Sequence, residues 1–405
     1  MLTSLPQGHG LDVAALRRAT PALPGVVHFN SAGSGLLPDE VATALQDHLA
    51  RELRSDSSAA ALDVAADIED AREEAARLIG ATPSEIAFTT GNADGWNAAL
   101  AALPALRPGD RVLVSSGEWG GNVLTLAQEC ARVGARLERI PELADGRMDV
   151  SGLSQMIDAR LRLIAVTWIG AHLGHAAPVE TVGRLARAHG IPYFVDAAQA
   201  AGVLPVDVAR IGCDVLTFPG RKSLRGPKGT GILYVREGIL DGLRPFALNL
   251  HAASAVTGGI VLRSDAGRLE AAEFSPGLRL GLGAALALAN RLGAEAIRER
   301  VLERSAALRA ALSQIPGLVL REEGPPESHI TTFHHPALCP TKIQHALAQR
   351  DILIKAMPAQ VAPYAGFGTP GRAVCRASVS YLTEDEEIAR LAEVLTGILV
   401  EAPAG

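Results

Sequence analysis

The 405-residue chain has little cysteine and few aromatic side chains: four Cys in all, and 4% Phe, Trp and Tyr. Cys130, Cys213, Cys339 and Cys375 show no CxxC spacing, which removes the usual zinc and dithiol patterns. Four reduced thiols in a cytoplasm, and no metal site, are expected. Long hydrophobic runs are missing too. The longest, 280–289, lies between Arg279 and Asn290 and is about half the length needed to cross a bilayer, so it reads as a buried helix. Positions 1–21 lack the basic start, apolar core and small-residue cleavage site of an export signal, so export is not expected. No excess of positive charge occurs either. A net charge of -6 without a Lys/Arg stripe speaks against nucleic acid and anionic membranes as partners. Repeats, low-complexity tracts and long charge blocks are also absent. What remains, 48% hydrophobic and 20% charged residues, is the composition of a globular chain with a sizeable core.

Short β-branched runs alternate with alanine-rich helical stretches. Strands are predicted at 86–89, 111–114, 163–168, 193–196, 215–218 and 231–235. Helix-period segments lie between them at 68–79, 123–133 and 179–188. The pattern predicts an α/β fold with helices on both faces of a sheet. A long helical stretch at 282–315 and strand-like pieces at 329–333 and 374–379 predict a smaller α+β unit after it. The expected division is an N-terminal segment 1–29 packing on the small unit, a large unit 30–265, and a linker helix with a small unit 266–405.

Three segments could carry chemistry. Thr89-Thr90-Gly91-Asn92-Ala93-Asp94-Gly95 runs from a strand through a glycine turn into a helix start, where free N–H groups and the helix dipole favour an anion. A simple tight βα connection would look the same, and the segment matches neither nucleotide phosphate-loop motif. Tyr193-Phe194-Val195-Asp196-Ala197-Ala198-Gln199 ends an apolar strand in a carboxylate, where ligands sit in open α/β sheets; helix capping would also explain Asp196. Between two apolar strands, Gly220-Arg221-Lys222-Ser223-Leu224-Arg225-Gly226-Pro227-Lys228 sets a lysine beside a second cation. That setting can keep an amine partly deprotonated, although a basic surface hairpin is the plainer reading.

Taken together and in this order, VDAAQA followed by GRKSLRGPKGTGILYV resembles the class V aminotransferase superfamily of pyridoxal 5′-phosphate (PLP) enzymes, from about residue 28 to about 387. The resemblance implies the PLP fold type I, with a mostly parallel sheet in the large unit, and a homodimer acting on a small amino-acid substrate. It implies that Lys222 carries the cofactor and moves the proton at Cα, that Asp196 holds the pyridine nitrogen protonated, and that Gln199 bonds the ring hydroxyl. Asn92 and Ala93 fall at the phosphate positions, acting largely through backbone N–H groups. Trp119, in Gly117-Glu118-Trp119-Gly120-Gly121-Asn122, falls where a ring stacks on the cofactor. Arg376, in Cys375-Arg376-Ala377-Ser378, falls where an arginine fork grips the α-carboxylate. Ser31, in Asn30-Ser31-Ala32-Gly33, falls in the stretch that lies over the substrate. Ser275 is a candidate contact from a neighbouring subunit.

The chain also departs from the pattern. Desulfurases of one subgroup carry a mobile cysteine before an Ala-Met-Pro-like stretch, whereas here Lys355 precedes Ala356-Met357-Pro358, and an ammonium cannot accept sulfur. Arg221 stands where His is usual, and Pro219 replaces a phosphate-binding Ser. With His172-Leu173-Gly174, these features resemble the ergothioneine-pathway C-S lyases that cleave hercynylcysteine sulfoxide. Arg221 is then expected to replace the lost phosphate contact, with His172 and Lys355 as possible leaving-group contacts. The expected reaction is β-elimination from an S-substituted cysteine or its sulfoxide, giving pyruvate and ammonia. An amino-acid epimerase or aminotransferase is the alternative, with desulfuration ranked lower and a non-catalytic PLP-binding protein disfavoured.

Overall fold

The structure, a computed structural model, describes residues 10–365 and 373–400; the first nine residues of the expected N-terminal segment lie outside it. Apolar runs build a seven-stranded sheet from β1 (Ile86–Thr89), β2 (Arg111–Val114), β3 (Arg136–Arg139), β4 (Leu161–Thr167), β5 (Tyr193–Asp196), β6 (Val215–Pro219) and β7 (Gly231–Val235). Their spatial order is β1-β7-β6-β5-β4-β2-β3, and β7 alone runs against the others. Strands β5, β6 and β7 are buried along their whole length, as expected of a sheet covered on both faces.

Helices α1 (Asp39–Glu52), α2 (Ala65–Ile79), α3 (Asn92–Ala102), α4 (Gly120–Val133) and α5 (Val179–Ala188) belong to this part of the chain. The predicted helix at 282–315 is two helices, α6 (Pro276–Leu292) and α7 (Ala294–Ser313), bent by 83° at Gly293. Gly293 has a φ of 83°, which an L residue rarely adopts. The apolar run inside α6 is largely buried, as its composition predicted. No single described helix is long and apolar enough to cross a membrane.

A second, antiparallel sheet takes β8 (Val319–Leu320), β9 (Ile330–His334), β10 (Lys355–Met357) and β11 (Val374–Ser378), in the order β8-β9-β11-β10. With α7, α8 (Pro340–Ala348) and α9 (Asp385–Val400) it encloses its own apolar core around Phe333, Leu308, Leu347 and Leu391.

One buried side chain ties distant parts together. Arg225 has a φ of 63°. Its Nε donates to the carbonyl of Leu36 at 2.7 Å, Nη1 to the Tyr381 hydroxyl at 2.9 Å and Nη2 to the Thr20 hydroxyl at 2.5 Å.

Candidate active site

The carboxyl ends of the central strands open into a cleft of about 1130 Å³. It is lined by the start of α3, the β5 and β6 ends, the lysine loop, the 30–34 loop, and β10 and β11. Strand β5 is fourth of seven, so its last residue, Asp196, stands at the centre of that edge, buried. Its Oδ2 accepts from Asn92 Nδ2 at 2.8 Å and Asn122 Nδ2 at 3.0 Å, and its Oδ1 from the amide of Ala198 at 2.9 Å. Two carboxylate oxygens offer about four acceptor sites, so one position on Asp196 is open to a donor from the cleft.

Lys222 follows β6 and is only partly exposed. Burial, then Arg221 and Arg376, push its ammonium pKa down to about 7, against the pull of Asp196. The loop below it is closely supported. Gly35 donates to the Arg221 carbonyl at 2.8 Å, and a Cβ on Gly35 would lie 2.4 Å from the Lys222 carbonyl; only glycine fits there. Arg221 donates through Nη1 to the Gly33 carbonyl.

Arg376 projects from β11, buried, with Nη1 donating to the Ala171 carbonyl at 2.9 Å. Burial, with Arg221 nearby, lowers its pKa to about 10, and the group stays charged at neutral pH. Gln199 donates through Nε2 to the Ala32 carbonyl at 3.1 Å. Its Oε1 and the Oδ1 of Asn92 are buried without a partner among the described residues, and both side chains line the cleft. Trp119 caps α4 and is 37% exposed on the cleft wall.

Lys222, Asp196, Gln199, Asn92, Ala93, Trp119, Arg221 and Arg376 therefore share one cleft, while three predicted site residues do not join them. Ser31 is buried and spends its hydroxyl on the carbonyls of Val379 at 2.5 Å and Ser378 at 3.2 Å, leaving Asn30, Ala32, Gly33 and Ser34 as the cleft wall. His172 is buried outside the lining. Its pKa falls to about 3, through burial first and then Arg321 and Arg376, so at neutral pH it is the neutral imidazole and not an imidazolium acid for a leaving group. Ser275 accepts from the Leu278 amide at 3.3 Å as the cap of α6, beside a separate cavity of about 90 Å³.

Several residues of the site and its support make contacts that went unremarked at the level of sequence. Asn92 reaches Asp196 through its side chain, where it was expected to act largely through its backbone. Glu118, Asn122 and Thr167 form a buried polar set behind Trp119. A compositional signal was available for others: only four of the 38 basic residues are lysine, and three of those four, Lys222, Lys228 and Lys355, line the cleft.

This donor set fits pyridoxal phosphate. An amine held near neutrality, a buried carboxylate with one open acceptor site, two orphaned amide oxygens and an uncapped helix start at Asn92 meet the requirements of an aldehyde, a pyridine nitrogen, a ring hydroxyl and a phosphate. Among the described residues, no group of His, Cys, Asp and Glu could hold a metal ion.

The aminotransferase class-V family model matches residues 27–391. A cysteine desulfurase of Salmonella gallinarum (strain 287/91 / NCTC 13346) is 31% identical, over 96% of each chain. Among solved structures, an apo cysteine desulfurase of Thermococcus onnurineus NA1 superposes with a TM-score of 0.88, covering 98% of this chain and all of that one, at 23% identity. The cystine C-S lyase C-DES, solved with its reaction product cysteine persulfide, gives 0.84 at 25% identity, over 93% and 99% of the two chains. The fold is thus the expected PLP type. The expected lyase acting on S-substituted cysteine or its sulfoxide is overturned, together with the ergothioneine-pathway likeness, because the curated relatives are cysteine desulfurases. Of the two possible leaving-group contacts, His172 lies outside the cleft lining and Lys355 lies within it.

Proposed function

The chain belongs to the class-V aminotransferase family and is a PLP-dependent enzyme, and from that premise we propose that it removes the sulfur atom of cysteine and leaves alanine. The observation that carries this reading is the 31% identity, across 96% of both chains, with a cysteine desulfurase. When bound, pyridoxal phosphate supplies an electron sink conjugated to the substrate's Cα. Lys222, Asp196 and Gln199 would hold it, with Asn92, Ala93 and Arg221 toward its phosphate and Trp119 against its ring.

The remaining steps fall to the side chains. Arg376 binds the α-carboxylate and fixes the substrate's orientation. Lys222, with a pKa near 7, exists in both protonation states at neutral pH, so it can take the proton from Cα and return one. Asp196, buried and triply hydrogen-bonded, is fixed at the end of β5, where its open acceptor position would meet the ring nitrogen.

The sulfur needs a nucleophile. Cys130, Cys213 and Cys375 are buried, and burial raises all three thiols, that of Cys130 to about 11 and that of Cys375 to about 12. Cys339 is exposed, 3.6 Å from the hydroxyl of Thr341, and does not line the cleft. We therefore assign the acceptor role to a small thiol from solution. Cysteine and RSH give alanine and RSSH: the Cβ–S bond breaks, an S–S bond forms, and Cβ gains the proton. Lys355 and Lys228 are the cations such a thiolate would meet.

Incubating PLP-loaded protein with L-cysteine, with and without dithiothreitol, tests this. Alanine and sulfane sulfur in equal amounts, made faster by added thiol and unchanged in Cys339→Ser, are expected. Pyruvate in place of alanine, a keto acid or D-amino acid, or no release of sulfur would overturn it. We also infer a homodimer, supported by exposed apolar side chains at Phe246, Leu250, Ile260 and Val261; a monomeric mass by light scattering would reject it.

A further inference from the structure

Glu118 has no exposed surface, yet no basic side chain pairs with it among the described residues. A buried carboxylate is costly unless its oxygens are satisfied. Those of Glu118 are: Oε1 accepts from Thr167 Oγ1 at 2.7 Å, Asn122 Nδ2 at 2.8 Å and the Trp119 amide at 3.2 Å, and Oε2 accepts from Ser115 Oγ at 3.2 Å. Burial first, and then the charge of Asp196, raise its pKa to about 7.

Each of these partners leads toward the cofactor cleft. Asn122 Nδ2 has two hydrogens, and its second contact is Asp196 Oδ2 at 3.0 Å. With both hydrogens committed, that amide cannot rotate without losing a carboxylate contact. Trp119 holds its backbone N–H between Glu118 Oε1 and Thr167 Oγ1, both at 3.2 Å, while its ring stands on the cleft wall. Thr167 ends β4 and donates through its own amide to Ser115 Oγ.

We propose that Glu118 is a positioning residue that fixes two cofactor-facing groups at once, the Asp196 carboxylate through Asn122 and the Trp119 ring through its backbone. It touches neither cofactor nor substrate. Its role is to give the end of β4, the turn before α4 and Asn122 a common acceptor, with Asn122 carrying the link on to the end of β5, so that ring and carboxylate keep a set separation.

A glutamine at 118 retains this geometry. Its oxygen can serve Asn122, Thr167 and Trp119, while its amide turns to Ser115 Oγ, a hydroxyl able to accept. An alanine removes all four contacts. The measurements are PLP affinity of the apo-protein, from quenching of tryptophan fluorescence, and the position of the bound cofactor's absorption band. Glu118→Ala is expected to weaken PLP binding by about tenfold or more, the worth of hydrogen bonds to a charged group, and to shift the band. Glu118→Gln is expected to restore both, with affinity within about threefold of wild type. Wild-type affinity and band in Glu118→Ala overturn the proposal, as does a Glu118→Gln variant as defective as the alanine. If Glu118→Ala does not fold, Asn122→Ala decides, since it cuts the bridge and spares the other three contacts: a weaker affinity with a shifted band supports the proposal, and unchanged values reject it.

Discussion

Lys355 and Arg376 stand directly opposite each other across the antiparallel pair of β10 and β11. Opposed residues project from the same face of a sheet, and both side chains line the cleft, Arg376 buried and Lys355 exposed. In a chain that supplies most of its positive charge as arginine, this ammonium faces the cleft that the proposed acceptor thiol would enter. Lys355→Glu is expected to raise the thiol concentration for half-maximal alanine formation by about tenfold, through reversal of the local charge. Steady-state kinetics with thiol and cysteine varied separately should show the KM for cysteine little changed.

Arg376 makes a sharper prediction about cysteine itself. Arg376→Lys keeps the charge and loses the two-pronged geometry, so kcat/KM for cysteine should fall by about tenfold or more, while PLP affinity of the apo-protein stays near wild type.

The lowered pKa of Lys222 sets the pH dependence. In the apo-protein its free-amine fraction rises through about pH 7, so the rate of covalent PLP uptake, followed by the cofactor's absorption band, should climb from pH 6 and level off above pH 8. Lys222→Ala should make no alanine, and borohydride should fix the cofactor covalently to wild type and not to the variant.

Away from the cleft, Glu270 is fully buried between two guanidinium groups, Arg72 at 2.6 Å and Arg279 at 2.9 Å, and accepts the amide of Phe88 at 3.0 Å. Removing the shared anion leaves two cations without their buried counter-charge. Glu270→Ala should cost about 3 kcal/mol or more in urea unfolding.

Stability should also fall in acid because of His329. This ring is fully buried, and burial, with Arg376 and Lys222 adding to it, pushes its pKa from 6.5 to about 3. Between these values the unfolded chain binds a proton that the folded chain refuses, so its contribution is complete above pH 6.5 and declines as pH drops toward 3. One such group changes unfolding free energy by up to about 1.4 kcal/mol per pH unit. His329→Gln should flatten the urea midpoint against pH over this window.

The strands that carry the site were legible because each is a short apolar run ending in a distinctive motif. Those at 86–89, 111–114, 193–196 and 231–235 agree with the structure residue for residue. Strand β3 escaped because Arg136–Arg139 is a mostly polar edge with no apolar run to mark it. The segments of Asp196, Lys222 and Arg376 stood out in local sequence, since Asp196 closes a strand, Lys222 follows one and Arg376 lies within one. Ser31 and His172 were misplaced because neighbours in sequence can point to opposite sides of a backbone: Ala32 and Ala171 face the cleft, and those two do not. Glu118 and Asn122 lay in a quoted motif, but their meaning depends on contacts reaching 49 and 74 residues along the chain, which no local pattern encodes.

Arg225 sits three residues beyond Lys222, and its guanidinium is gripped by Thr20, Leu36 and Tyr381. The reactive loop is therefore clamped by segments far from it in sequence on either side. During synthesis, the stretch around Tyr381 emerges more than 150 residues after the lysine. The clamp on the loop that follows Lys222 is therefore completed only once that later segment has been made and has docked.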